Sequence, residues 1–140
     1  MKKLLVISNH PVEKWSDEQK EGWDIIEYIP FPNVSPQLGR QAAKDAAISL
    51  LDTIRARIEN IEGVSLYRFR EYDGDYNLAM WWETVEHVPS DWKLSIQGEF
   101  SLCNELFQRV GEHCVFPTTE RVVEEKDGVK TSTFKFVRWR

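Results

Sequence analysis

Three short polar segments hold the side chains that are suited to chemistry, and each follows an apolar run. Ser8–His10 follows the run Leu4–Ile7, and Gln97–Phe100 follows Trp92–Ile96, which is predicted to be a buried strand. Thr118–Arg121 follows a third run, His113–Phe116. The carboxyl ends of successive strands in an open α/β sheet share one edge, where ligands bind. The sequence therefore predicts that these segments meet at one edge, which would suit an anionic ligand.

The turn at Gln97–Phe100 has features of a phosphate site. Gly98 would let the backbone approach a ligand, and the following helix N-terminus offers unpaired N–H groups and a positive dipole end. A simpler interpretation is that Gly98 only makes the turn and Glu99 complements the helix dipole. This interpretation is favoured for the turn alone, because the sequence has no GxGxxG, GxxxxGK[ST] or GxSxG motif.

The other polar segments add hydroxyls, cations and an imidazole. Two threonines and Arg121 at a strand end suit a phosphate, because arginine makes bidentate contacts, although a simple turn with a surface arginine is an equal alternative. His10 is a candidate for proton transfer, because an imidazole suits this chemistry near neutral pH, but a lone histidine is more often structural. Lys135 adds positive charge, or it protects an exposed edge strand from aggregation.

Composition limits the classes of function. A chain of 140 residues suits one domain, spanning 1–140, and its net charge of −5 argues against broad duplex DNA or RNA binding. The apolar run Leu4–Ile7 is too short for a signal peptide or membrane span, so a cytoplasmic protein without membrane contact is expected. Cys103 and Cys114 read as small core residues in a reducing compartment. No metal-ligand spacing occurs, so neither a metal nor a cofactor is expected.

Hydrophobic patterns predict the elements of the first half. Leu4–Ile7 is typical of a central parallel strand, and Asp24–Ile29 of a second strand that ends at prolines. Ser16 is predicted to cap a short helix, with Gln19 at the capping-box position. A longer helix is predicted to begin at Ser35, with Pro36 in its first turn and Arg55 on its wet side. Its apolar stripe consists of Ala43, Ala47, Leu51, Ile54 and Ile58.

The second half contains one ambiguous region. Residues 65–72 and 76–83 read as a hairpin, but a helix over residues 76–87 is the alternative, because short apolar runs do not distinguish the two. Gly98–Gly111 is predicted as a helix, and His113–Phe116 as a strand. The turn signal Asp127-Gly128 predicts a closing hairpin. Its last strand alternates, so one side is expected to carry Phe134, Phe136, Arg138 and Arg140, and the other Lys135, Val137 and Trp139.

Together these elements predict an α/β fold: a Rossmann-like, mostly parallel sheet flanked by helices, with a C-terminal β-hairpin. The chain also resembles small stand-alone CARF-like proteins encoded beside type III CRISPR systems. Five segments carry this resemblance: residues 8–11, 17–19, 96–100, 118–125 and 134–140. The C-terminal pattern TTER, VVEE and FKFVRWR is the most specific part, and residues 65–89 match poorly.

The resemblance implies a fold, an activity and site residues. Members of that group are Rossmann-like dimers, and several are ring nucleases that bind cyclic oligoadenylate, commonly cyclic tetra-adenylate, and linearise it. The implied catalytic residues are His10, for proton transfer, and Arg121 or Lys135, for stabilising the transition state. The implied ligand-binding residues are Ser8, Asn9, Gln97, Gly98, Glu99, Phe100, Thr118 and Thr119.

Elementary chemistry is compatible with a ring nuclease. A homodimer would form a symmetric pocket for a symmetric ring, and attack by a ribose 2′-hydroxyl on the adjacent phosphate needs no metal. Two alternatives remain open. One is a sensor or sponge that binds the ring without cleaving it, and the other is a protein-interaction module with an aromatic surface that includes Trp81 and Trp82.

Overall fold

A computed structural model describes the backbone of residues 1–73, 78–84 and 88–140, and the side chains of residues 1–66 and 88–140. The described residues form seven strands and three α-helices. In chain order these are β1 (Lys3–Ser8), α1 (Asp17–Lys20), β2 (Ile25–Pro30), α2 (Arg40–Glu62), β3 (Tyr67–Asp73), β4 (Leu78–Thr84), β5 (Trp92–Ile96), α3 (Phe100–Val110), β6 (Pro117–Lys126) and β7 (Val129–Trp139).

The chain forms two compact units. The first comprises Met1–Phe31, Asp91–Glu99 and Glu112–Arg140, and therefore contains β1, β2, β5, β6 and β7. The second comprises Pro32–Ser90 and Phe100–Gly111, and contains α2, α3, β3 and β4. Every residue of the predicted site except Phe100 belongs to the first unit.

A parallel sheet in the order β2-β1-β5 forms the centre of the first unit. Leu4–Ile7 in β1 is at most 1% exposed, which confirms the prediction of a central buried strand. The strand predicted at Asp24–Ile29 is also confirmed, because β2 spans Ile25–Pro30. The structure is thus α/β, with a three-stranded parallel sheet, helices and a C-terminal antiparallel hairpin.

The strand predicted at His113–Phe116 is not formed. Cys114 makes only an isolated parallel bridge to Leu94 of β5, and the next strand, β6, begins at Pro117. Phe116 instead exchanges two backbone hydrogen bonds of 2.8 Å with Arg140, so the chain leaves β5 to pair with β7. The placement of Thr118–Arg121 after a strand end is therefore wrong, because these residues lie within β6.

β6 and β7 form a long hairpin around Asp127-Gly128, as predicted. Asp127 has φ 54° and Gly128 has φ 79°, both in the left-handed region that a two-residue type I′ turn requires. The register shifts between Thr118 and Thr119, where Val137 is the extra residue of a β-bulge. This bulge makes the predicted alternation wrong beyond Phe136. Trp139 lies on the same side as Phe136, with their ring centroids 5.8 Å apart.

An aromatic cluster ties the base of the hairpin to the connection between β1 and β2. The ring of Trp139 lies 5.5 Å from that of Trp15 and 5.9 Å from that of Trp23, measured between centroids. Its indole Nε1 donates a hydrogen bond of 3.0 Å to the carbonyl of Gln19. Gln19 belongs to α1, whose predicted cap is confirmed by a 3.3 Å hydrogen bond from the Gln19 N–H to the Ser16 hydroxyl.

In the second unit, α2 begins later than predicted. Ser35 accepts hydrogen bonds from Gln37 and Leu38 and closes a turn, and Gly39 is the residue that precedes the helix. The predicted apolar stripe is buried, as expected. The prediction for Arg55 is wrong: it is only 8% exposed and forms ion pairs with Asp52 and Glu59 of the same helix.

The remaining elements resolve the ambiguous region. β3 and β4 pair antiparallel, which confirms the hairpin rather than the helix. The side chains of Trp81 and Trp82, on which the protein-interaction alternative depends, lie outside the described residues. α3 spans Phe100–Val110 within the predicted range. Within the described part of the chain, no helix combines the length and apolarity needed to cross a membrane.

Candidate functional site

The loops that follow β1 and β5 begin side by side. These strands are parallel neighbours, so both carboxyl ends lie at the same edge of the sheet. The backbone N–H of Gln97 donates a 2.9 Å hydrogen bond to the carbonyl of Ile7 in β1, so the pairing of the two strands continues to the start of the second loop. Ser8–His10 and Gln97–Glu99 therefore lie at one edge, as the strand order requires. We call this region the carboxyl edge.

Ser8 shapes the carboxyl edge from inside. It is only 2% exposed, and its hydroxyl accepts a 3.0 Å hydrogen bond from the backbone N–H of His10. Its carbonyl accepts a 2.7 Å hydrogen bond from the Tyr28 hydroxyl and a 3.1 Å one from the Phe31 N–H. The predicted ligand-binding side chain of Ser8 thus closes a turn that leaves Asn9 and His10 exposed.

The sequence interpretation overlooked Tyr28 and Phe31. Tyr28 was only one apolar position of a strand, and Phe31 only a residue between two prolines. Their relation to Ser8 follows from the register of β2 against β1, which pairs Ser8 with Pro30. The sequence did contain one signal of the contact between Tyr28 and Ser8. A part-buried tyrosine hydroxyl usually makes a hydrogen bond, and Tyr28 lies in a half-buried strand close to the polar end of the neighbouring strand.

Gly98 has a packing role. A Cβ atom at this position would overlap the ring of Phe31, which is itself only 6% exposed. The close approach of Phe31 therefore explains the need for glycine here, a packing role that the sequence interpretations of the turn did not include. Gln97 and Glu99 on either side are exposed. Phe100, the first residue of α3, belongs to the second unit and is 89% exposed.

The predicted site residues of the hairpin divide between its two faces. Directly opposite residues in an antiparallel pair share a face, and successive residues alternate. Arg121 lies opposite Phe134, whereas Lys135 lies opposite Glu120. Arg121 and Lys135 therefore lie on different faces of the hairpin. The neighbours Thr118 and Thr119 also alternate between the two faces.

Two of these side chains have partners within the hairpin. The Thr118 hydroxyl donates a 2.8 Å hydrogen bond to the carbonyl of Arg138 across the strands. The Arg121 Nε donates a 2.5 Å hydrogen bond to the hydroxyl of Ser132. Both contacts orient side chains that the sequence assigned to a ligand, so binding through those atoms would require an exchange of partners.

A groove of about 530 Å³ lies where the hairpin passes the connection between β1 and β2. It contains the predicted catalytic residue Lys135 together with Lys14, but also Glu18 and Glu124. These formal charges balance, so the groove does not by itself favour a polyanion. The lining residues are Lys14, Ser16, Glu18, Gln19, Val122, Glu124, Thr133, Phe134, Lys135 and Phe136.

The chemistry exposed at the carboxyl edge is that of hydrogen bonding and proton transfer. It consists of the amides of Asn9 and Gln97, the imidazole of His10 and the carboxylate of Glu99. Amides suit ribose hydroxyls, base edges and phosphate oxygens, and an imidazole suits proton transfer near neutral pH. Within residues 1–66 and 88–140, no group of three or more His, Cys, Asp or Glu side chains is placed to bind a metal ion.

Asp91, a carboxyl group with a shifted pKa, lies in a different part of the first unit. Lys3 Nζ lies 2.7 Å from the carboxylate of Asp91 and 5.9 Å from the centroid of the Trp92 ring. The hydrogen bond from Lys3 holds the pKa of Asp91 below its usual value. Lys3 is the first residue of β1, so this ion pair lies at the end of the strand opposite to Ser8.

Comparison with known proteins gave no relative: no protein-family model, curated protein or solved structure matches the chain.

Proposed function

We propose that the protein is a metal-independent ring nuclease. In this proposal a cytoplasmic homodimer with a Rossmann-like, CARF-like fold binds cyclic oligoadenylate, cyclic tetra-adenylate in particular, and linearises it to switch off type III CRISPR signalling. The observation that supports this most is the hydrogen bond from Gln97 to Ile7, which extends the pairing of β1 and β5 to the start of the second loop, so that two polar loops begin side by side at the carboxyl edge. A preorganised edge of this kind lowers the cost of positioning a ribose and its phosphate.

The proposed reaction is an internal transesterification. The ribose 2′-oxygen attacks the adjacent phosphorus, the bond from phosphorus to the 5′-oxygen breaks, and the products are a 2′,3′-cyclic phosphate and a 5′-hydroxyl. The proton of the 2′-hydroxyl passes to His10, and a proton from water or imidazolium completes the leaving 5′-hydroxyl. The amides of Asn9 and Gln97 donate hydrogen bonds to the phosphate oxygens as negative charge develops there.

The hairpin supplies the cation of this mechanism. Cys114 pairs in parallel with Leu94, so the chain there runs in the direction of the carboxyl edge until β6 begins at Pro117. Arg121 and Lys135 are alternatives for stabilising the transition state, because they lie on opposite faces of the hairpin. Two copies related by a two-fold axis would present the same groups to both halves of a symmetric ring.

Incubation of the purified protein with labelled cyclic tetra-adenylate, with and without EDTA, tests this proposal. Linear products in both samples support a metal-independent ring nuclease. A ring that binds and stays intact supports the sensor or sponge instead. Absence of both binding and cleavage would contradict the proposed ligand. Cleavage that EDTA abolishes would contradict the metal-independent mechanism.

A further inference from the structure

The outer part of the β6–β7 hairpin exposes large apolar side chains. Near its base the hairpin packs through Trp139 and Phe136. Farther out, Phe134 is 75% exposed and Val123 is 57% exposed. A two-stranded hairpin is only marginally stable in water unless a face is covered, and exposed apolar strand surfaces commonly mark interaction sites. This part of the hairpin therefore has the properties of an interface.

The strand register identifies which side chains share a face with Phe134. Arg121 pairs with Phe134, Val123 with Ser132, and Glu125 with Lys130. The hydrogen bond from Arg121 Nε to the Ser132 hydroxyl is consistent with this arrangement, since it joins two side chains of the same face. We call this surface the Phe134 face, and it consists of Arg121, Val123, Glu125, Lys130, Ser132 and Phe134.

We propose that the Phe134 face is a contact between two copies of this chain. The charges on it are self-complementary under a two-fold rotation in the plane of the face. With the axis along the strands, β6 of one copy lies over β7 of the other, and Glu125 meets Lys130. With the axis across the strands, β6 lies over β6, and Glu125 meets Arg121.

In both orientations an acidic side chain faces a basic one beside a centre formed by Val123 and Ser132, and such self-complementarity is what an isologous interface requires. The axis along the strands has a further attraction. It places Arg121 of one copy over the aromatic ring of Phe134 of the other, a cation–π arrangement. Val123 then lies near the centre of the contact in either orientation. A second copy therefore matches this face in both apolar character and charge.

The contact also separates the roles of the two candidate cations. Arg121 belongs to the Phe134 face, whereas Lys135 lies on the other face of the hairpin. The groove borders both faces, because Phe134 and Lys135 both line it. Self-association through the Phe134 face would engage Arg121 and leave Lys135 outside the contact. The inference locates the contact of the homodimer proposed above, and association is measured without a ligand. A monomeric protein would contradict both the contact and the homodimer, whereas a dimer that does not cleave the ring would contradict only the ring nuclease.

A matched pair of variants tests the face. Val123 and Val129 are 57% and 62% exposed in the same hairpin, but Val129 pairs with Lys126 and lies on the opposite face. We expect the wild-type protein and Val129→Lys to sediment as dimers. Val123→Lys should raise the dimer dissociation constant at least about tenfold, because the dimer contact would desolvate the introduced charge. Circular dichroism checks that both variants fold. A monomeric wild type, or equal effects of both variants, would overturn the proposal.

Charge reversal then tests the pairing. Glu125→Lys should weaken self-association in both orientations, because it places like charges together. Lys130→Glu should do so only if the axis runs along the strands, since with the axis across them residue 130 meets Phe134. A mixture of these two variants should form heterodimers if the axis runs along the strands. A mixture of Glu125→Lys with Arg121→Glu should do so if the axis runs across them. Failure of both mixtures to restore the dimer contradicts the face-to-face arrangement.

Discussion

Replacement of Gly98 by alanine tests the packing of the carboxyl edge. The φ of Gly98 lies outside the left-handed region, so alanine adopts this backbone without strain. The added Cβ, however, overlaps the ring of Phe31, which is 6% exposed and has little room to move. Overpacking of this kind typically costs about 1–3 kcal/mol. We therefore expect Gly98→Ala to lower the free energy of unfolding by that amount.

Urea unfolding followed by tryptophan fluorescence measures this change. Gly111→Ala is the matched control, because a Cβ there would meet its nearest neighbour, the Phe107 Cβ, at an ordinary 3.9 Å. It should be neutral or slightly stabilising, since alanine restricts the unfolded chain more than glycine does. Combining Gly98→Ala with Phe31→Leu should recover part of the loss, because the smaller side chain relieves the overlap. A Gly98→Ala protein as stable as the wild type would refute this account of the glycine.

Three further substitutions test other contacts. Tyr28→Phe removes the hydrogen bond to the Ser8 carbonyl and should lower the free energy of unfolding in urea by about 0.5–1.5 kcal/mol. An unchanged urea midpoint would show that this hydrogen bond contributes nothing to stability. Trp139→Ala removes the hydrogen bond to Gln19 and the ring contacts with Trp15 and Trp23, so we expect the free energy of unfolding to fall by about 2–4 kcal/mol. A fall smaller than that caused by Val129→Lys would contradict the anchoring role of Trp139. Asp91→Asn should cost at most about 1 kcal/mol at neutral pH, because the Asp91 side chain is 51% exposed and its pair with Lys3 is screened by solvent. Since Lys3 lowers the pKa of Asp91, this stabilisation is present above the usual value of 3.8 and is lost as the pH falls through the lowered pKa. The difference between Asp91→Asn and the wild type should therefore shrink in acid, and a constant difference would exclude the ion pair as its cause.

Local sequence patterns were sufficient where neighbouring residues decide the structure. The run Leu4–Ile7 predicts a central strand because a strand covered on both faces is apolar throughout. Asp127-Gly128 predicts a hairpin turn because both residues tolerate positive φ. Trp92–Ile96 was likewise assigned as a strand with its observed bounds.

Long-range contacts explain what the sequence did not predict. Phe116 pairs with Arg140, 24 residues later, so β6 leaves the parallel sheet and takes Thr118–Arg121 into a strand. The bulge at Val137 moves Trp139 to the side of Phe136, which simple alternation does not foresee. The packing of Phe31 on Gly98 joins segments that are far apart in sequence, and only the strand register reveals it. The carboxyl edge was predictable from strand order, whereas its supporting residues were not.

Single-turnover cleavage of labelled cyclic tetra-adenylate in EDTA tests the central claim most directly. Wild-type protein, His10→Ala and His113→Ala should be compared side by side, because His113 is a histidine of the same unit that the proposed mechanism does not use. We expect a 2′,3′-cyclic phosphate product from the wild type and from His113→Ala, and a rate at least about 100-fold lower for His10→Ala. An intact ring with wild-type protein, or equal rates for the two histidine variants, would contradict a catalytic role for the carboxyl edge.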